Sequence, residues 1–159
     1  MTNKSDFSEE EWSRVVRAPF VAGMAISLAD PGGPFEAAKE SMAAMKSATN
    51  PPSREPLLAD VALDVQAMVQ QHHNPLQGYR PNTSEPVGTQ VLGELREVQS
   101  IVAAKATPEE AAAFGRWLLS TAQAAADAAK EGGFMGFGAE QVSQGEQSML
   151  DQVRVAVGA

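Results

Sequence analysis

The chain has 159 residues, 43% of them apolar and 20% charged, a length and balance that suit one folded domain, residues 1–159, with a sizeable core. It contains no cysteine, which excludes disulfides, thiolate nucleophiles and Cys-ligated zinc or iron–sulfur centres. The formal net charge is −8 and the lysines and arginines are scattered singly, against the basic face that nucleic acid or an anionic membrane requires.

In chain order, Met1–Ser8 is polar and lacks the basic-then-apolar build of a signal peptide. The longest apolar run, Phe20–Ala29, is interrupted by Gly23 and Ser27 and reaches about half the length of a bilayer span. It reads as half of a buried helix, and a cytoplasmic location is expected. Ser8 and Glu11 have capping-box spacing, and Phe7 and Trp12 stand where a hydrophobic staple closes. The stripe Trp12, Val15, Val16, Phe20, Gly23, Ser27 continues that helix, with a kink or a break expected at Pro19.

Asp30-Pro31-Gly32-Gly33 ends the first segment, and Pro34 opens a second helix, rich in Ala and Met, to about Ser47. Asn50-Pro51-Pro52 breaks it. A third helix is expected from Ser53 as cap to about Gln71, with Pro56 in its first turn. Asn74–Ser84 is the longest loop and contains Tyr79, which makes it a candidate functional segment.

Ser84 is the expected cap of a fourth helix with the stripe Val87, Val91, Leu95, Val98, Val102. Thr107-Pro108-Glu109-Glu110 supplies cap, N1 proline and N3 glutamate for a fifth. That helix carries Phe114, Trp117, Leu118, Thr121, Ala125 and Ala128 on one face and should end at Gly132 or Gly133. A last helix, capped at Ser143 with Glu146 as box partner, buries Met149, Leu150, Val153 and Val157. No segment alternates with the period of a half-buried strand. The expected fold is all-α, a single-domain helical bundle or irregular array of about six helices.

Chemistry-bearing patterns are sparse. His72 and His73 share a helix with Asp60 and Asp64, but helical phase puts the aspartates on one face and His72 about 100° away. The aspartates read as a solvated acidic face, and Glu36 with Glu40 likewise as surface residues. Glu-x-x-His pairs, a Gly-x-Ser-x-Gly elbow and a Gly-Lys-Ser/Thr phosphate loop are all missing. No catalytic set, metal site or cofactor is therefore expected, although carboxylates brought together by folding would escape a sequence reading.

The one unusual segment is Glu131–Gly138, where Gly132, Gly133, Gly136 and Gly138 interleave with Phe134, Met135 and Phe137. It reads either as an apolar plug at the end of the bundle or as a ligand site built from glycine amides ahead of a helix N-terminus. The run Lys130–Gly138, with Val142-Ser143 and Glu146 behind it, resembles the C-terminal signature of small all-helical bacterial proteins. It is more distantly similar to TerB-like helical domains. In those a helix enters an acidic-Gly turn and then a Ser-capped helix with Glu three residues on, places filled here by Glu131, Ser143 and Glu146. The resemblance implies a helical bacterial protein and no particular activity.

Two functional readings follow. The first is a non-enzymatic domain acting through protein–protein contact, with a protein partner or by self-association as a homodimer. Its Ala- and Met-rich helices suit adaptable packing. The alternative is a small-molecule or metal-binding domain lined by Gly132, Gly133, Phe134, Gly136, Phe137, Trp117 and Tyr79.

Overall fold

Two capping boxes form as spaced in the sequence, and they mark the start of the two most heavily buried helices. In the computed structural model, which describes residues 1–29, 34–76, 79–81, 84–130 and 144–159, Glu11 N–H donates to the Ser8 hydroxyl at 3.2 Å. Ser8 N–H donates back to the Glu11 carboxylate at 2.9 Å. The first helix, α1 (Glu9–Ala29), follows, with the Phe7 and Trp12 rings 5.5 Å apart as the staple. Thr107 and Glu110 exchange the same pair of bonds, each 3.2 Å, ahead of α5 (Pro108–Lys130).

Between and after these lie α2 (Pro34–Ala48), α3 (Pro56–Gln70), α4 (Val87–Lys105) and α6 (Gln144–Val157). A short 3-10 turn, Lys4–Asp6, precedes α1. The fold is all-α, with six α-helices and no strand among the described residues. None of these helices is long and apolar enough to cross a membrane.

The centre is α1, which packs against α2, α4, α5 and α6. It is buried on nearly every side, from Trp12 and Val15 to Ala25 and Ile26. Pro19 lies within it and α1 is one continuous helix, not the two shorter ones that the proline allowed. A proline in mid-helix removes one backbone bond, and the fully buried neighbours Val15, Ala18, Val21 and Ala22 offset that loss. Small side chains set the spacing to α2: a Cβ added at Gly23 would stand 2.8 Å from that of Ala44. Phe114, Trp117, Leu118, Leu95, Val98, Leu150 and Val153 complete one connected core.

Two helix starts differ from the reading above. The N-cap of α3 is Glu55, not Ser53, and that of α4 is Pro86, not Ser84. A residue before proline is pushed into extended conformation, so Glu55 (ψ 139°) ahead of Pro56 cannot be helical, and proline rather than serine decides where α3 begins. Val87, at the first position of α4, is partly exposed rather than part of the buried stripe. The end of α3 also differs. His73 N–H donates to Met68 O at 2.9 Å and His72 N–H to Val69 O at 3.1 Å, the paired bonds of a Schellman cap. His72 takes the left-handed place (φ 55°) that glycine occupies at no steric cost, so it is exposed beyond the helix instead of continuing its apolar phase. Gly132, Gly133 and Ser143, named above as helix end and cap, lie outside the described residues.

Candidate functional site

A groove of about 790 Å³ lies between the N-terminal turn with the first half of α1 and the last two turns of α3. Its walls are built by local rules. The capping box and staple fix Phe7 and Trp12 at the start of α1, and Val16 follows one turn below. Helical phase on α3 brings Asp64, Ala67, Met68 and Gln71 to the opposite wall.

Polar bonds lock the walls together. The Trp12 indole N–H donates to Asp64 Oδ2 at 2.7 Å, and the Lys4 ammonium lies 2.9 Å from the same oxygen. Lys4 N–H donates to Asp60 Oδ2 at 3.0 Å. Asp60 and Asp64, expected as a solvated acidic face, are thus the anchor of the N-terminal turn. The far side of that turn is tied to the α4–α5 corner. Thr2 N–H donates to Glu110 at 3.2 Å, while Lys105 Nζ donates to Asp6 O at 2.9 Å and pairs with Glu11 at 2.6 Å.

These ties perturb two carboxyls in one direction. Thr2, with help from the Thr107 amide, holds Glu110 below the usual carboxylate range against the opposing effect of burial. The Lys105 ammonium, then the Ser8 amide, does the same for Glu11. A carboxyl whose folded pKa is lowered stabilises the fold fully above its unfolded value, about 4.3 for Glu, and that contribution is lost as pH falls through the folded value. Urea midpoints measured from about pH 6 down to about pH 3 should therefore fall less steeply in Glu11→Gln/Glu110→Gln than in the parent chain. Equal slopes would mean that neither tie bears on stability.

A second, polar pocket of about 410 Å³ surrounds Tyr79, lined by Arg80, Glu85, Arg96 and Glu97 among others. The Arg17 guanidinium sits 5.8 Å from the centre of the Tyr79 ring. Burial, then the Glu94 charge, pushes the phenol pKa up, and among the described residues none hydrogen-bonds its hydroxyl. Arg14 grips Glu94 through two bonds of 3.1 and 2.8 Å and also bonds Glu97. The two carboxylates raise the pKa of that guanidinium further.

Of the other candidate residues, Trp117 is fully buried in the core. Its indole N–H donates to Ser47 O at 2.9 Å and its ring meets Phe114 edge-on. Gly132, Gly133, Phe134, Gly136 and Phe137 lie outside the described residues, as do Glu131 and Ser143, whereas Glu146 is buried on α6. Glu40, expected at the surface, is buried between α1 and α2, where the Ser27 hydroxyl donates to it. His72 and His73 are exposed, and no cluster of three or more His, Asp or Glu side chains suited to a metal occurs among the described residues.

The groove residues Lys4, Phe7, Trp12 and Met68 were not singled out as a site by sequence. Phe7 and Trp12 read only as a staple that closes the helix start, and only folding sets Trp12 against Asp64 across 52 positions. Comparison of the chain with known protein families, with curated proteins and with solved structures finds no match.

Proposed function

We propose that the chain is a non-enzymatic helical domain that acts through protein–protein contact, with the groove between α1 and α3 as its contact surface. The observation that carries this reading is the groove itself. It combines an apolar floor of Phe7, Trp12, Val16 and Met68 with a charged and polar rim, in a volume that admits several side chains. Aromatic anchors held by a hydrogen-bonded frame lose little freedom on binding, which favours affinity.

The test is selection of a random dodecapeptide display library on the folded protein, repeated on Ala67→Arg. Ala67 is exposed on the groove wall, so the arginine fills the groove without touching the core. Peptides that bind the parent chain and lose at least about tenfold in affinity on the variant are expected. Binders indifferent to the substitution, or none, would overturn the reading. Native mass spectrometry adds the self-association outcome: a dimer abolished by Ala67→Arg makes a second copy the occupant.

A second reading, a small-molecule-binding domain, is favoured by one observation, the buried Tyr79 hydroxyl that no described residue bonds beside a charged pocket. A mass excess that disappears on denaturation would support it.

A further inference from the structure

We infer that the α1/α3 groove takes a basic amphipathic peptide segment of a partner protein, with an apolar side chain against Phe7, Trp12 and Met68 and an arginine on Asp64. This rests on the proposed contact role of the groove and adds the chemistry of its occupant.

Three observations converge on it. The first is the occupancy of the Asp64 carboxylate. Both of its contacts, from Trp12 and from Lys4, fall on Oδ2, and among the described residues none donates to Oδ1. A guanidinium binds carboxylates through two parallel bonds, so it can use Oδ1 and compete with Lys4 for Oδ2 while the indole bond stays. The second is that the resident cation is replaceable. The Lys4 side chain is 58% exposed, and an exposed ion pair of this kind contributes little. The backbone of Lys4 remains tied to Asp60 when its ammonium leaves.

The third is charge. Among the residues that line the groove, two carboxylates, Glu9 and Asp64, stand against one cation, the replaceable Lys4. The chain as a whole carries −8. Such a field attracts a basic segment and disfavours an acidic one, and a second copy of this acidic chain is disfavoured for the same reason. The apolar floor supplies what charge alone lacks, a pocket for an anchor beside the carboxylate.

The experiment is isothermal titration with peptides taken from the groove-dependent selection, each paired with its Arg→Gln copy. Arginine next to an aromatic or leucine is expected in the consensus, with the Arg→Gln copy binding about tenfold more weakly to the parent chain. On Asp64→Asn, which still offers an oxygen to the Trp12 indole, the two copies should bind within about twofold of each other. Lys4→Gln, which removes the competing ammonium, should tighten the arginine peptide several-fold. Groove-dependent peptides without a basic residue, or an arginine whose effect persists undiminished on Asp64→Asn, would overturn this inference and leave the contact role standing. Absence of any groove-dependent peptide would overturn both.

Discussion

Trp117→Ala is expected to lower the unfolding free energy by about 3–5 kcal/mol, the largest effect of any single change considered for this chain. The ring is 1% exposed and stands in the middle of α5, where it meets Phe114 edge-on and faces the end of α2. Removing it leaves a cavity and takes one of two donors from the Ser47 carbonyl, which keeps the Asn50 N–H at 3.1 Å, so lost packing dominates the cost. Urea denaturation followed by circular dichroism reads the result. A loss below about 1 kcal/mol would place the ring in a solvent-accessible pocket, as the ligand-lining role expected from sequence requires. Trp117→Phe should recover most of the packing and none of the hydrogen bond, separating the two contributions.

Gly115→Ala is expected to destabilise by about 1–2 kcal/mol, although alanine is the better helix former by up to about 1 kcal/mol. The ideal Cβ would stand 2.4 Å from the Val157 carbonyl oxygen, a backbone atom at the end of α6 that cannot swing aside as a side chain would. Either α6 shifts as a unit or its last turn gives way, and both weaken the contact between α5 and α6. Gly93→Ala on α4 is the matched control, because nothing lies within 4 Å of the added Cβ. There the helix propensity is unopposed, and stability should rise by up to about 1 kcal/mol. If Gly115→Ala also stabilised, the close approach of α5 and α6 would be wrong.

The contrast between these two glycines is also the contrast between what is legible locally and what is not. Helical phase already sets Gly93 among Thr89, Gln90, Arg96 and Glu97 and Gly115 among Ala111, Leu118 and Ala122, so which of them sits on an apolar face is readable, but not what that face meets. Only the arrival of Val157, the last residue of α6 and 42 positions on, makes one of them obligatory. Glu40 offers an intermediate case. It stands one and two turns before Ala44 and Ala48, both buried against α1 and α5, so its place on the small-residue face was readable. Spacing to Glu36 suggested a surface acidic pair instead, because carboxylates are rarely buried. The Ser27 hydroxyl that satisfies it comes from another helix.

Short-range chemistry was sufficient for the all-α class, for the apolar faces of α1, α4, α5 and α6, and for the capping boxes at Ser8–Glu11 and Thr107–Glu110. Each of these rests on residues within one or two helical turns, where geometry follows directly from spacing. Two expected caps, Ser53 and Ser84, gave way to a neighbouring proline, which is still local, since the steric rule at Pro56 outweighs a serine's preference. What folding alone decided is which polar face is covered. The Asp60–Asp64 face of α3 has the pattern of a solvated surface, and it becomes an anchor only because Lys4 and Trp12 are delivered to it from the chain start. Helical phase says which residues share a face. It carries no information about the partner that a face meets, because that depends on contacts between segments far apart in sequence, and only such contacts bring the two locally built walls of the α1/α3 groove together.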